Sequence, residues 1–379
     1  MRQEKLIKAV AVLPKGLETE GAAELKELGA LAVQPLRKAV AFKIDMAGLY
    51  RLYIQARLPF RLLREVTRFP CHGPETLYYG IQQALNWELW LPPKLSFRVD
   101  ISGHASTLNH SHFTALQVKN ALVDAQRQRW GKRSSIDCKA PDLCLHLHLG
   151  QEEAVLSLDG SPGSLHRRGY RPAVGIAPLK ENLAAGLIRL TGWNRQIPLV
   201  DPCCGSATFL IEAALIASCR APGLGRTFCL KHWLDFNPVL WQQEWSRAQS
   251  HKLRQPLPQL VGWEVNPLVA EQARTNVSMA GLSRDIIIHT DNLSRLQLPQ
   301  TAGVIVCNPP YGIRIGHETN LRSLYSSLGA VLREQGSGWD LWLLSGNPGL
   351  TTALRLKSCR RIPIDNGGLN CRWMHYVIR

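Results

Sequence analysis

Two stretches of the sequence, DPCCGSATF at 201–209 and NPPYG at 308–312, combine residues that could hold a nucleotide-like ligand and act on an amine. An apolar run at 197–200 predicts a buried strand ending at Asp201, and a second run from Thr208 predicts a helix. A strand, a turn of small residues and a helix N-terminus expose backbone N–H groups to a ligand. The turn has one glycine, Gly205, and no GK[ST] ending, so neither dinucleotide nor triphosphate is the expected ligand.

Acidic or amide side chains follow the next two predicted strands. Glu264 follows residues 260–263, where a carboxylate could accept hydrogen bonds from both hydroxyls of a ribose. Asp291 and Asn292 follow residues 286–289, where a side-chain oxygen could accept a hydrogen bond from the amino group of an adenine. Asp201 could hold an ammonium group, directly or through water. The sequence therefore predicts a cleft for a nucleoside-containing cofactor.

Asn308, Pro309, Pro310 and Tyr311 follow a further apolar run at 303–307 and could activate the exocyclic amine of a base. The amide oxygen of Asn308 and the carbonyl of Pro309 could accept hydrogen bonds from that NH₂ and aim its lone pair at a methyl group. The prolines stiffen the turn, and Tyr311 offers a π face to a base that has left its stack. No separate general base is needed, because the amine loses its proton only after it becomes positively charged.

Composition indicates the partners of the chain. Its 379 residues include 45 Lys and Arg against 29 Asp and Glu, a formal net charge of +16, which favours nucleic acid as a partner. The ten cysteines form no CxxC pair, so we expect no metal site and a reducing, cytoplasmic location. No segment approaches the roughly 18 apolar residues of a membrane span, so no membrane partner is expected. Nothing in the sequence indicates an oligomeric state.

The order of apolar patterns divides the chain into four parts. A βαββα pattern predicts an α+β unit over residues 1–65, and a strand at 61–69 opens a second α+β unit assigned to 66–160. Residues 161–179 form a linker rich in Gly, Pro and Arg. Residues 180–379 alternate strands and helices, with strands at 197–200, 260–263, 286–289, 303–307 and 340–344 before a final hairpin. This alternation predicts a mainly parallel, doubly wound sheet, interrupted by a Trp-rich segment at 219–258 that we expect to pack rather than bind ligand.

Cations in two places could bind RNA. The predicted helix at 114–130 and the residues after it carry Lys119, Arg127, Arg129 and Arg133. The linker carries Arg167, Arg168 and Arg171 around an aromatic ring, a composition suited to phosphates and stacked bases.

Across nearly its whole length the chain resembles the THUMP-containing guanine-N2 methyltransferases of RNA. The likeness rests on FTALQVKNALVD, LHRRGYR, LKENLAAGLI, DPCCGSATFLIEAA, ARTNVSMAGL and NPPYGIRI. The resemblance implies ferredoxin-like and THUMP domains that bind RNA. It also implies a class I, Rossmann-like α/β methyltransferase domain with a mainly parallel seven-stranded sheet, which uses S-adenosylmethionine.

The resemblance also implies roles for individual residues. It places Asp201, Cys203, Gly205, Ser206 and Thr208 on the cofactor loop, Glu264 on the ribose, Asp291 and Asn292 at the adenine, Lys180 and Glu181 beside the cofactor, and Asn308 to Tyr311 on the catalytic turn. Ala207 departs from the family loop, CGSGT, at its second glycine. The implied reaction is methylation of a guanine N2 amine in 23S rRNA. A tRNA guanine, an adenine N6 amine, or a non-catalytic role in RNA assembly are the alternatives.

Overall fold

Two seven-stranded sheets organise the chain in a computed structural model that describes residues 6–171, 179–252, 256–310, 312 and 318–379. The first sheet has the order β2-β3-β1-β4-β7-β6-β5 and the second the order β10-β9-β8-β11-β12-β14-β13. Within the described ranges, no helix is long and apolar enough to cross a membrane.

The first sheet contains both α+β units predicted for the N-terminal part. Its strands are β1 (Ile7–Val12), β2 (Leu31–Leu36), β3 (Ala39–Ile44), β4 (Arg61–Pro70), β5 (Phe97–Gly103), β6 (Leu143–Leu149) and β7 (Glu153–Asp159). Its helices are α1 (Glu18–Glu27), α2 (Met46–Gln55), α3 (Pro74–Ala84), α4 (Trp87–Trp90) and α5 (Ser111–Trp130). The element order agrees with the predicted βαββα pattern followed by a second α+β unit.

Strand β4 joins the two units into one continuous sheet. Leu63 pairs with Val10 of β1 on one side and with Asp159 of β7 on the other. The boundary predicted between residues 65 and 66 therefore falls inside a strand. Both units also contribute to a single hydrophobic core.

The second sheet is mainly parallel, as predicted. Its strands are β8 (Leu199–Asp201), β9 (Leu260–Trp263), β10 (Ile286–His289), β11 (Val304–Cys307), β12 (Asp340–Ser345), β13 (Arg360–Asn366) and β14 (Leu369–Val377). The helices of this part of the chain are α6 (Glu181–Leu190), α7 (Thr208–Ala217), α8 (Pro238–Ser250), α9 (Pro267–Met279), α10 (Glu318–Gln335) and α11 (Pro348–Thr351). Strands β8, β9 and β11 are buried at every residue, because helices cover both faces of the parallel part. Strands β13 and β14 form an antiparallel hairpin at one edge, and β14 pairs with β12 in antiparallel orientation.

In the described part of the Trp-rich segment, α8 packs, as predicted, but against the N-terminal unit. Trp241 of α8 meets Tyr50 of α2 edge-on, with ring centroids 5.5 Å apart, and belongs to the N-terminal core. Nη2 of Arg51 lies 2.7 Å from Oε1 of Glu244 in the same contact. The segment therefore fixes the N-terminal sheet to the α/β domain.

Candidate cofactor and base-binding site

The turn between β8 and α7 has the tight backbone that the DPCCGSAT sequence predicts. Gly205 has φ +51° and open space where a Cβ would lie, so a ligand can approach its backbone closely. Ala207 has φ +62° and immediately precedes α7. This left-handed conformation costs an alanine about 1–2 kcal/mol. The buried Ala207 methyl group packs in the core beneath the turn, so the loop keeps its shape without the second glycine.

Glu264, at the end of β9, supports this turn directly. Its Oε2 accepts a hydrogen bond from the backbone N–H of Gly205 at 3.2 Å, and its Oε1 accepts one from Asn266 N–H at 2.9 Å. Each carboxylate oxygen has two lone pairs, so both oxygens keep capacity for a ligand hydroxyl. The predicted ribose acid therefore lies against the predicted cofactor loop.

Asp201 is 2% exposed at the end of β8, and its Oδ1 accepts the backbone N–H of Cys203 at 3.2 Å. Burial, together with the negative charge of Glu264, raises the pKa of Asp201 to about 8. The ionised form is thus disfavoured until a cation approaches, and an ammonium group of a ligand would supply that cation.

Arg171 lies against the turn between β8 and α7, the predicted cofactor loop, and its side chain is only 10% exposed, unlike the surface position predicted for it in RNA binding. Its Nη2 donates to Oγ1 of Thr208, the first residue of α7, at 2.6 Å, and its Nη1 lies 3.7 Å from Oε1 of Glu181. Its Nε is buried and has no hydrogen-bond partner among the described residues. An unpaired donor on a buried guanidinium beside a helix N-terminus fits a carboxylate of a ligand.

Glu181 and Lys180, predicted to flank the cofactor, have different surroundings. Glu181 is buried beside Arg171, and burial raises the pKa of Glu181. Lys180 is exposed, and its Nζ lies 5.0 Å from the ring centroid of Phe60 in the N-terminal unit. The structure thus brings Glu181, but not the Lys180 ammonium, to the loop.

Asn276 of α9 was missed by the sequence analysis, although it lies in the quoted ARTNVSMAGL helix. Its side chain is 1% exposed and donates from Nδ2 to the carbonyl of Ser206 at 3.1 Å. A polar residue at a core-facing position of an amphipathic helix was the available signal. Ser206 also lies within 3.2 Å of Thr208, oxygen to oxygen.

Asn308 emerges at the same sheet edge as Asp201, because β11 is the parallel neighbour of β8. Its Oδ1 is buried and has no hydrogen-bond partner among the described residues, and the following Pro309 is buried. Cys203 packs against the hydrophobic cluster that contains the buried Cys307, so the loop and the end of β11 share a core. Tyr311 lies outside the described residues.

Asp291 and Asn292 follow β10, the edge strand next to β9. Oδ1 of Asp291 accepts a hydrogen bond from the backbone N–H of Asn292 at 2.7 Å. Oδ1 of Asn292 accepts one from the backbone N–H of Ser294 at 3.0 Å. Asp291 also lines a cleft of about 900 Å³ whose wall includes the stacked rings of Trp263 and His289. The position suits a flat ring at the end of β10, while Asn292 chiefly caps the following turn.

The predicted RNA-binding cations divide into exposed and buried groups. Exposed members are Arg127, Arg129, Arg133 and Arg167, while Lys119 is half-buried. The prediction is wrong for Arg168, whose side chain is 2% exposed. Its guanidinium donates to the carbonyls of Leu165 and Arg57 at 2.6 Å each, and its Nε lies 3.3 Å from the buried carboxylate of Glu212. A buried carboxylate needs such a partner, so Arg168 is committed to the junction between the two sheets. Across the described ranges, no three or more His, Cys, Asp or Glu side chains are arranged so that together they could hold one metal ion.

Three family models match consecutive parts of the chain. Residues 168–375 match the RMKL-like methyltransferase domain (UPF0020), residues 79–159 match the THUMP domain, and residues 8–63 match the RlmL ferredoxin-like domain. The resemblance identified from the motifs is thereby confirmed, as is the α/β methyltransferase fold behind ferredoxin-like and THUMP units.

Individual relatives match this chain over nearly its whole length. A provisionally named RNA methyltransferase of Synechocystis sp. is 41% identical over 97% of this chain and 96% of its own length. The ribosomal RNA large subunit methyltransferase K/L of Syntrophotalea carbinolica is 39% identical over 98% of this chain but only 54% of its own length. The chain thus spans about half the length of the K/L relatives it matches. A crystal structure of a provisionally named methyltransferase complexed with S-adenosylhomocysteine covers 100% of this chain and 99% of its own, with 26% identity and a TM-score of 0.87.

Proposed function

This chain belongs to the UPF0020 family of RMKL-like methyltransferases, and we propose that it transfers a methyl group from S-adenosylmethionine to the exocyclic N2 amine of a guanine in 23S rRNA. S-adenosylmethionine is the cofactor of this family, and it suits the polar groups of the loop. Asp201 would hold its ammonium, Arg171 its carboxylate and Glu264 its ribose hydroxyls. Asp291 would face its adenine at the end of β10.

The buried amide oxygen of Asn308, which has no partner among the described residues, supports the proposed chemistry most directly. A buried acceptor without a donor costs about 1–3 kcal/mol. An exocyclic NH₂ group placed there would satisfy it. The acceptor lies at the sheet edge that carries Asp201, so the amine would meet the cofactor where β8 and β11 end.

Asn308 would act on the geometry of the amine. The lone pair of a guanine N2 is delocalised into the ring, which makes it a poor nucleophile. Hydrogen bonds from the NH₂ group to Oδ1 of Asn308 and to the carbonyl of Pro309 would hold it in position and favour tetrahedral nitrogen. The bound cofactor supplies the electrophilic methyl group. The nitrogen releases its proton once it has become cationic, so the site needs no strong base.

An RNA substrate is supported by the THUMP match, the net charge of +16 and the names of the relatives. The exposed arginines Arg127, Arg129 and Arg133 lie on or just after α5 of the THUMP-matching segment. Because the Trp-rich segment ties the N-terminal sheet to the α/β domain, an RNA bound there would be held at a fixed distance from Asn308. A ribosomal RNA substrate also agrees with the cytoplasmic location that we propose from the cysteines.

Methyl transfer to defined nucleic acids tests the proposed substrate. The full chain would be incubated with methyl-labelled S-adenosylmethionine and, in parallel, with 23S rRNA lacking modifications, unmodified tRNA and double-stranded DNA. We expect label only in 23S rRNA. Label in tRNA alone would instead assign the chain to tRNA guanine methylation. Binding of RNA and cofactor without any transfer would favour the non-catalytic role.

A further inference from the structure

A second set of reactive side chains lies on the C-terminal hairpin edge of the α/β sheet. Sγ of Cys359 lies 3.1 Å from Nδ1 of His375, and Nε2 of His375 lies 2.7 Å from Oδ1 of Asp340. The three residues come from separate segments: Asp340 begins β12, His375 lies in β14, and Cys359 directly precedes β13. A thiol, an imidazole within hydrogen-bond distance and a carboxylate that orients the imidazole form the arrangement of an activated cysteine nucleophile.

The imidazole of His375 is held in one orientation. Its ring lies flat on the indole of Trp342, with centroids 4.3 Å apart and an interplanar angle of 5°. If Nε2–H donates to Asp340, Nδ1 has no proton and can accept that of the Cys359 thiol. The backbone carbonyl of His375 lies farther from the sulfur, at 3.4 Å. Asp340 would then stabilise the imidazolium that forms.

The surroundings of Cys359 favour an anionic reactant. Cys359 is exposed, and so are the neighbouring cations Lys357, Arg360 and Arg361. Cations beside a thiol attract negatively charged molecules. Asp340 stands at the amino end of β12, whereas the cofactor loop lies at the carboxyl ends of the parallel strands. The thiol is therefore separate from the methyl-transfer site.

We propose that Cys359, His375 and Asp340 form a thiol-modification site that takes small anionic disulfides of the glutathione type. The thiol proton passes to Nδ1 of His375 as Sγ bonds to one sulfur of the disulfide. The disulfide S–S bond breaks, and the departing sulfur takes up the proton from the imidazolium. One mixed disulfide and one free thiol result, with no net change in redox equivalents.

The chain supplies its own reference thiol for the test. Cys138 is also exposed, and the hydrogen bond that it receives within the described residues comes from Arg98, which donates to its backbone carbonyl, and not from an imidazole. The full chain would be treated with oxidised glutathione at pH 7, and the mixed disulfide at each cysteine would be followed by peptide mass spectrometry. His375 can take up the thiol proton of Cys359 as Sγ attacks, so we expect modification at Cys359 to be about three- to ten-fold faster than at Cys138.

His375→Gln removes the base, and we expect it to reduce the Cys359 rate to that of Cys138 without changing the Cys138 rate. Equal rates at the two cysteines in the unaltered chain, or no effect of His375→Gln, would overturn the proposal. Modification of the buried Cys371 would show that the variant has unfolded. If that variant unfolds, Asp340→Asn, at a partly exposed position, tests the proposal instead. A modification rate at Cys359 lowered at least two-fold supports the site, and an unchanged rate refutes it.

Discussion

Replacement of Arg171 by methionine should weaken the binding of S-adenosylhomocysteine by removing the donor assigned to its carboxylate. A hydrogen bond to a charged group contributes about 1.5–3 kcal/mol, which corresponds to roughly a 10- to 150-fold loss of affinity. The upper part of this range is expected, because the Arg171 side chain is 10% exposed and solvent screens it little. The affinity of Arg171→Lys should lie between those of the unaltered chain and Arg171→Met, because lysine keeps the charge but lacks the planar guanidinium.

Ligand truncation separates recognition of the carboxylate from general damage to the loop. 5′-Methylthioadenosine has the adenine, ribose and sulfur of the cofactor but lacks its amino-acid end. In isothermal titration calorimetry, Arg171→Met should weaken binding of S-adenosylhomocysteine far more than binding of the truncated ligand. The exposed Arg247, replaced by methionine, provides a control for loss of one positive charge. Equal weakening of both ligands by Arg171→Met would refute the assignment and leave Arg171 as a support for Thr208. If neither ligand bound the unaltered chain, the proposal that the site takes S-adenosylmethionine would be contradicted instead.

Three further predictions concern other residues. Asn308→Ala should lower the rate of methyl transfer at least about 100-fold. Its affinity for S-adenosylhomocysteine should stay within a few-fold, because the amide acts on the amine rather than the cofactor. A fully active variant would contradict this prediction. Burial raises the pKa of Asp201 to about 8, above about 3.9 for an unfolded chain, so the ligand-free protein should lose stability as pH rises between these values. Asp201→Asn should remove that loss. The melting temperature of the variant minus that of the unaltered chain should therefore be larger at pH 8 than at pH 5. Trp241→Ala should lower the free energy of unfolding in urea by about 3–5 kcal/mol, because Trp241 fills the junction with Tyr50; a change below 1 kcal/mol would show that the junction is not a shared core.

The elements of the α/β domain were predictable because their sequence patterns are local. Strands such as β9 and β11 are short, wholly apolar runs followed by a polar residue, which is how a strand buried on both faces must read. The neighbours of a strand are not encoded in the same way. Strand β4 has one sequence but two partners, β1 and β7, and only the packed sheet shows that it joins both units.

Three arginines of one short motif show what the sequence could not reveal at the site. Arg167, Arg168 and Arg171 have the same chemistry and similar flanks, yet Arg167 is exposed, Arg168 pairs with Glu212, and Arg171 reaches Thr208. The linker has no regular periodicity, so its pattern does not separate buried from exposed positions. Glu212 lies 44 residues after Arg168 and Thr208 lies 37 residues after Arg171, and only folding brings these pairs together.

Truncation of the N-terminal part would disturb folding as well as RNA binding. Trp233 and Trp241 belong by sequence to the α/β part but are buried in the N-terminal core. Removing the first 160 residues would expose both indoles, so loss of activity in such a fragment would not distinguish RNA binding from folding. Point substitutions in the intact chain are the sharper test.

Identification of the methylated nucleoside is the sharpest test of methyl transfer to guanine N2. RNA labelled by the full chain would be digested to nucleosides and separated by liquid chromatography with mass spectrometry, with the Asn308→Ala variant as the matched control. The proposed function predicts N2-methylguanosine from 23S rRNA, absent with the variant. N6-methyladenosine as the labelled product would contradict the assignment to guanine, although Asn308 would still act on an exocyclic amine.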